Sequence, residues 1–208
     1  MNGILKVKEF FRAKFSFIPK FDFFVLSKVI KIRNKILTKI LKLISRIGDW
    51  WILSLLSIIL IFLNLKLGIL LSISLIIQVL LQKIIKNIFT RKRPYIKHRT
   101  KIKNLIVPPD RYSFPSGHTA GAFVVFFSFL RFYPEISIIV LVIAIIIGFS
   151  RIYLGVHYLT DVIFGIIIGL ISTEIANTFY LDIVNLIKQI IPSPLHSQLY
   201  QVEHLVFV

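Results

Sequence analysis

The chain has 208 residues, 56% of them apolar, a mean hydropathy of +0.83, and a formal charge of +17 from 26 Lys+Arg against 9 Asp+Glu. Soluble domains are about 45–50% apolar, so this composition excludes an ordinary soluble globule and describes an integral, multi-pass membrane protein. In such a chain the positive excess marks membrane sidedness and attraction to anionic lipid, not nucleic-acid binding, and the absence of cysteine excludes disulfides and thiolate chemistry.

Lys6, Lys8, Arg12, Lys14 and Lys20 interrupt the first twenty residues, so no cleavable signal peptide is expected and the first span serves as the signal. From 26 to 47, Leu26, Val29, Ile30, Ile36, Leu37, Ile40, Leu41, Ile44 and Ile47 fall on one helical face, opposite Lys28, Lys31, Lys35, Lys39, Lys42 and Arg46. Two placements fit this basic amphipathic helix: in the headgroup region on anionic lipid, or packed on a bundle with a solvated basic face.

After Gly48-Asp49, apolar runs at 50–65, 67–85, 116–132, 136–154 and 158–179 each approach the ~20 residues of a spanning helix. The expected fold is an all-α polytopic membrane bundle of about five transmembrane helices. It divides into a basic N-terminal segment (1–47), a membrane domain (48–180) and a short amphipathic tail (181–208) ending in Pro192-Ser193-Pro194 and the stretch beyond. Most connections are short, whereas 87–113 is a long polar loop with three prolines. Long loops in compact folds usually carry function or are disordered.

Three polar signatures interrupt this apolar sequence: Lys86-x6-Arg93-Pro94, Pro115-Ser116-Gly117-His118, and Ser150-Arg151-x5-His157-x3-Asp161. Ionisable groups beside hydrocarbon cost a few kcal/mol each on insertion scales, so their presence needs a reason. Alternating spans bring all three to one membrane face. Lys86, Arg93 and Arg151 then supply fixed positive charge, two of them as guanidinium forks that match phosphate oxygens. By itself, the basic cluster around Lys86 also reads as a topology signal.

Ser116 caps a helix start where Gly117 lets backbone N–H groups approach an anion, although four such residues also make an ordinary cap. His157 and Asp161 lie four apart on one helical face. The carboxylate can fix the imidazole tautomer and leave the other nitrogen free to attack, and the same pair also fits a plain interfacial contact. His98, His196 and His204 read as interfacial or solvated. A metal is not expected, because there is no cysteine and no His-Glu-x-x-His, and three cations in the pocket repel another.

In this order and without substitution, the three signatures resemble those of the type 2 phosphatidic acid phosphatases, the lipid phosphate phosphatase branch of a superfamily shared with vanadium haloperoxidases. The resemblance covers 86–161 and implies a metal- and cofactor-independent phosphatase working through a phosphohistidine. In it His157 attacks phosphorus, Asp161 orients His157, and His118 protonates the leaving oxygen. Lys86, Arg93, Arg151, Ser116 and Gly117 hold the phosphoryl oxygens. The haloperoxidases are soluble, so the spans favour the lipid branch.

Phosphatidate, phosphatidylglycerol phosphate, undecaprenyl diphosphate and lipid A phosphates all fit as substrates, and the oligomeric state is open. The rivals are a lipid phosphotransferase and a non-catalytic lipid-phosphate binder or transporter, which needs the cations but not both imidazoles. Twelve Lys+Arg precede Trp50, ten lie between 83 and 111, and Arg151 joins them, against Lys66, Arg131 and Lys188 opposite. Positive-inside logic puts the site on the cytoplasmic face of a bacterial cytoplasmic membrane, although many similar bacterial proteins work on its outer face.

Overall fold

The computed structural model describes residues 18–190, so the expectations for the first seventeen residues and for the end of the tail lie outside the described residues. Helices follow one another in the order α1 (Ile18–Lys31), α2 (Lys35–Ile47), α3 (Trp50–Leu63), α4 (Leu65–Phe89), α5 (Pro94–Lys97), α6 (Gly117–Phe132), α7 (Pro134–Tyr153) and α8 (Leu159–Ile190). Among the described residues the only extended pairing is one bridge between Lys92 and Tyr112.

The periodic run from 26 to 47 is two helices, not one. Asn34 leaves the helical conformation and its side chain accepts from the Leu37 backbone N–H at 2.8 Å, capping α2. Such a cap satisfies a donor that the first helical turn leaves unpaired. Arg33 fixes the break to the bundle by donating to the carbonyls of Tyr153 and Lys103, both at 2.9 Å.

The two placements considered for this segment also turn out to be compatible. Leu41 and Ser45 of α2 are buried, Leu41 against Tyr153, Leu154 and Val156. Ile36, Ile40, Leu43 and Ile47 form an exposed apolar stripe beside the exposed Lys35, Lys39, Lys42 and Arg46.

Hydropathy leads to five spans, and helices stand in all five places, but their lengths differ. By length and composition α4, α7 and the Leu159–Tyr180 part of α8 can cross a membrane, and α2 with α3, bent by 51°, makes a fourth if the pair is one span. α3 ends at Asn64, whose side chain also caps α4, so it has 14 residues; α6 has 16. Composition alone counts flanking residues that caps remove from the helix. α8 runs unbroken past Tyr180, so the residues after it continue that helix and do not begin a separate one.

α6 lies inside the bundle against α4, α7 and α8, with Thr119 to Phe126 buried. Two glycines let α8 approach it closely. A Cβ at Gly165 would lie 2.8 Å from the Ser116 carbonyl oxygen, and one at Gly169 would lie 2.9 Å from that of Ala120. This approach sets the start of α6 beside the start of α8. The end of α4, the start of α6, the end of α7 and the start of α8 thus meet at one end of the molecule.

Candidate active site

At that end a cavity of about 500 Å³ is lined by Lys86, Arg93, Gly117, His118, Arg151 and His157. Residues from all three signatures therefore share one space. Asp161 and Ser116 stand behind its wall, fully buried. The Ser116 hydroxyl sits 2.8 Å from that of Thr119 in the first turn of α6, where it caps the helix instead of facing the cavity. Beside Gly117 the Gln82 amide nitrogen lies 2.4 Å from where a Cβ would stand, so a larger residue there would push the end of the Gln82 side chain aside.

The connection between α7 and α8 carries His157. Gly155 turns the chain there with φ +78, in the left-handed region that favours glycine. The His157 Nε2 is 3.1 Å from Arg93 Nη1. A guanidinium can only donate, so Nε2 accepts and the ring proton is on Nδ1. Nδ1 faces Asp161 Oδ2 at 3.5 Å and has no hydrogen-bond partner among the described residues. The carboxylate is thus on the expected side of the ring but beyond hydrogen-bond length. Burial, and then the Arg93 and Arg151 guanidiniums, hold the His157 imidazole well below the usual histidine range. It is therefore neutral, with its Nε2 lone pair held by Arg93 at the cavity wall.

Asp161 is held from elsewhere. Its Oδ1 accepts from Arg91 Nη1 at 2.7 Å and its Oδ2 from the Tyr158 backbone at 2.8 Å. The other end of the Arg91 fork pairs with Asp22 of α1 at 2.5 Å, and Asp22 also accepts from the Thr160 backbone and hydroxyl. Arg91 lies over the Tyr158 ring at 4.1 Å. On the opposite wall, His118 Nε2 is 2.8 Å from Asp49 Oδ1 at the bend between α2 and α3.

Each cation in the cavity also has a partner. Asp110 of the long loop accepts from Lys86 at 2.6 Å and from Arg93 at 2.8 Å. Arg151 donates to the Ser45 hydroxyl, and its Nε is buried without a partner among the described residues. One carboxylate between two cations, and a third cation with an orphaned donor, are what an anion-binding cup looks like when a protein group occupies part of it. Sequence reasoning missed Asp22, Asp49, Arg91 and Asp110. Their signal was scarcity: Asp22, Asp49, Asp110 and Asp161 are four of only five aspartates in a chain of charge +17.

A family profile described as the PAP2 superfamily matches residues 67–184. The chain belongs to that superfamily. It is 33% identical over 115 residues to phosphatidylglycerophosphatase B of Bacillus subtilis, covering 50% of this chain and 53% of that protein. It is 31% identical over 88 residues to the undecaprenyl-diphosphatase BcrC of the same organism, covering 42% of this chain and 45% of that protein. The matches span about half the length of these curated relatives.

Among solved structures, LpxE of Aquifex aeolicus superposes with a TM-score of 0.68 at 28% identity, covering 74% of this chain and 93% of that one. A transmembrane PAP2-type phosphatidylglycerolphosphate phosphatase from Bacillus subtilis superposes at 0.67 and 27%, covering 88% and 98%. Asp22 and Asp49 both lie outside the 67–184 match, so the residues that complete this site come partly from the N-terminal helices.

Arg91→Gln leaves Asp22 and Asp161 buried without their shared cation, and is expected to destabilise the protein by about 3–5 kcal/mol. Thermal unfolding in detergent measures this, and adding Asp22→Asn is expected to recover part of the loss.

Proposed function

We propose that the protein is a membrane lipid phosphatase that hydrolyses a phosphomonoester or diphosphate of a lipid through a phosphohistidine on His157. The observation that carries this is the pair of imidazoles, His157 and His118, on the wall of one cavity with Lys86, Arg93 and Arg151. Recognition alone needs the cations. It has no use for two imidazoles lining the cup. Membership of the superfamily, and the phosphatase names of its relatives, support the same reading.

The lipid phosphate enters the cup in place of the Asp110 carboxylate on Lys86 and Arg93, and Arg151 completes the set. These charges stabilise the negative charge that spreads over the phosphoryl oxygens during transfer. His157 Nε2 forms the bond to phosphorus as the bond to the leaving oxygen breaks, and His118 supplies that oxygen with a proton. Asp161 balances the positive charge that develops on the His157 ring. Water then attacks phosphorus, gives its proton to His118 and breaks the P–N bond, which restores both histidines and releases phosphate. The Ser116 hydroxyl, engaged with Thr119, supports the start of α6 and is not assigned a phosphoryl oxygen.

A lipid substrate suits the shape of the cavity. Its walls continue from the cup between α3 and α4 along Leu53, Ile58, Leu75, Ile76 and Val79, so a hydrocarbon chain has an apolar path from the phosphate into the bundle. The exposed lysines of α2 would lie on anionic headgroups at the same end. The N-terminal helices and the 87–113 loop meet at the site end, as Arg33 on the Lys103 carbonyl illustrates. Their concentration of charge supports a cytoplasmic side for this end by the positive-inside rule.

Three outcomes follow. With purified protein and a panel of lipid phosphates in metal-free detergent solution, the wild type releases inorganic phosphate and His157→Ala loses all measurable turnover; residual activity near wild type rejects the mechanism. Because the His157 imidazole is held below its ordinary range, it stays neutral as pH falls through about 6.5, the free-histidine value. Protonation of His157 therefore limits kcat/KM only at still lower pH, and the acid limb of the profile is expected below that value. For sidedness, a Thr100→Cys variant in intact cells is expected to resist a membrane-impermeant thiol reagent and to react after lysis.

A further inference from the structure

Between the cationic cup and the apolar path lies a layer of amides that the phosphatase reading does not use. Gln82 and Gln78 lie one and two helical turns below Lys86 on the same face of α4, and all three line the cavity. At 1.5 Å per residue they stand about 6 and 12 Å along the axis from the phosphate-binding lysine. Gln78 is buried, and its Nε2 donates to Gln82 Oε1 at 2.6 Å. Neither the Gln78 carbonyl oxygen nor the Gln82 amino group is among the buried polar atoms left without a partner, and both residues line the open cavity. Gln82 is also built into the site, since its amide occupies the space that Gly117 leaves beside His118.

An acceptor and a donor on the cavity wall can pair with polar groups of a ligand that enters it. A lipid whose hydrocarbon begins directly at the phosphate offers none. A glycerolipid phosphate carries ester carbonyls or a hydroxyl within a few bonds of phosphorus, between its phosphate and its chains. Its order of groups follows the cavity: cations, amides, then a mainly aliphatic stretch that also carries Ser54, Ser57 and Ser72.

A prenyl diphosphate fits less well for a second reason. The lysine and arginines that line the cavity, Lys86, Arg93 and Arg151, all belong to one layer. A second phosphoryl group placed toward the chain would meet neutral amides.

We propose that Gln82 and Gln78 are specificity-determining residues that read the polar linkage of a glycerolipid phosphomonoester, selecting it over prenyl diphosphates and over phosphates borne on bare hydrocarbon. This rests on the phosphatase reading above and adds the substrate class to it.

The test uses full-length protein in detergent with three substrates: dioctanoyl phosphatidate, dodecyl phosphate, which carries the same monoester on bare hydrocarbon, and farnesyl diphosphate. Gln82→Met and Gln78→Met keep side-chain length and remove the hydrogen-bonding groups. Each is expected to lower kcat/KM for phosphatidate about tenfold while dodecyl phosphate stays within about twofold of wild type, the scale of one lost hydrogen bond. Dodecyl phosphate thereby reports that fold and chemistry are intact. An equal loss on phosphatidate and dodecyl phosphate, no loss on either, or a loss confined to farnesyl diphosphate overturns the assignment. A wild-type protein inactive on all three, yet folded by thermal unfolding, instead overturns the phosphatase reading and the assignment with it.

Discussion

The structure depends on charge balance in a place that water reaches poorly. Arg93 and Arg151 are buried at 1% exposure, beside Lys86 and two imidazoles, at the end of a helical bundle built mainly of Ile, Leu, Val and Phe. Cations in such a setting are tolerated only when opposite charge or strong acceptors compensate for lost hydration. Asp110 does this for Lys86 and Arg93, and Asp22 with Asp161 does it for Arg91. Arg151 is left with a hydroxyl and a buried, orphaned Nε, so its compensation is incomplete.

That incompleteness links the fold to the chemistry. In the proposed reaction the carboxylate between Lys86 and Arg93 stands in for a phosphoryl group, with fewer oxygens and less charge, so a phosphate would displace it and gain contacts. Arg93 reaches both this carboxylate and the Nε2 lone pair of His157, which holds the ring in one tautomer with Nδ1 toward Asp161. The same burial that makes the cations costly keeps His157 neutral. In the proposed reaction desolvation would thus set both the affinity of the cup for an anion and the nucleophilicity of the imidazole within it.

The N-terminal helices take part in this balance. α1 brings Asp22 to Arg91, the bend after α2 brings Asp49 to His118, and α2 itself brings Ser45 to Arg151. A segment with the look of a membrane-surface anchor is therefore a wall of the site. α4 serves the interior in the same way: one helical face carries Lys86, Gln82 and Gln78 in turn, so a single element grades the cavity from charged to amide to aliphatic.

Much of this was legible in the residues themselves. Helical class, membrane character and the convergence of Lys86, Arg93, His118, Arg151 and His157 on one face follow from hydropathy and from counting crossings, because apolar length and the parity of spans are local properties of a chain. Where helices end was less legible: Asn34 divides one periodic run into two and Asn64 shortens another, since a single capping side chain outweighs a smooth pattern. What only the tertiary structure decided is which groups hold the site in place. Asp22 is 69 residues from Arg91 and Asp49 is 69 from His118, and neither spacing has a period that sequence can announce. Pairing over such separations depends on how helices cross, which is set by close approaches such as Gly165 on Ser116, and so by the packed bundle as a whole.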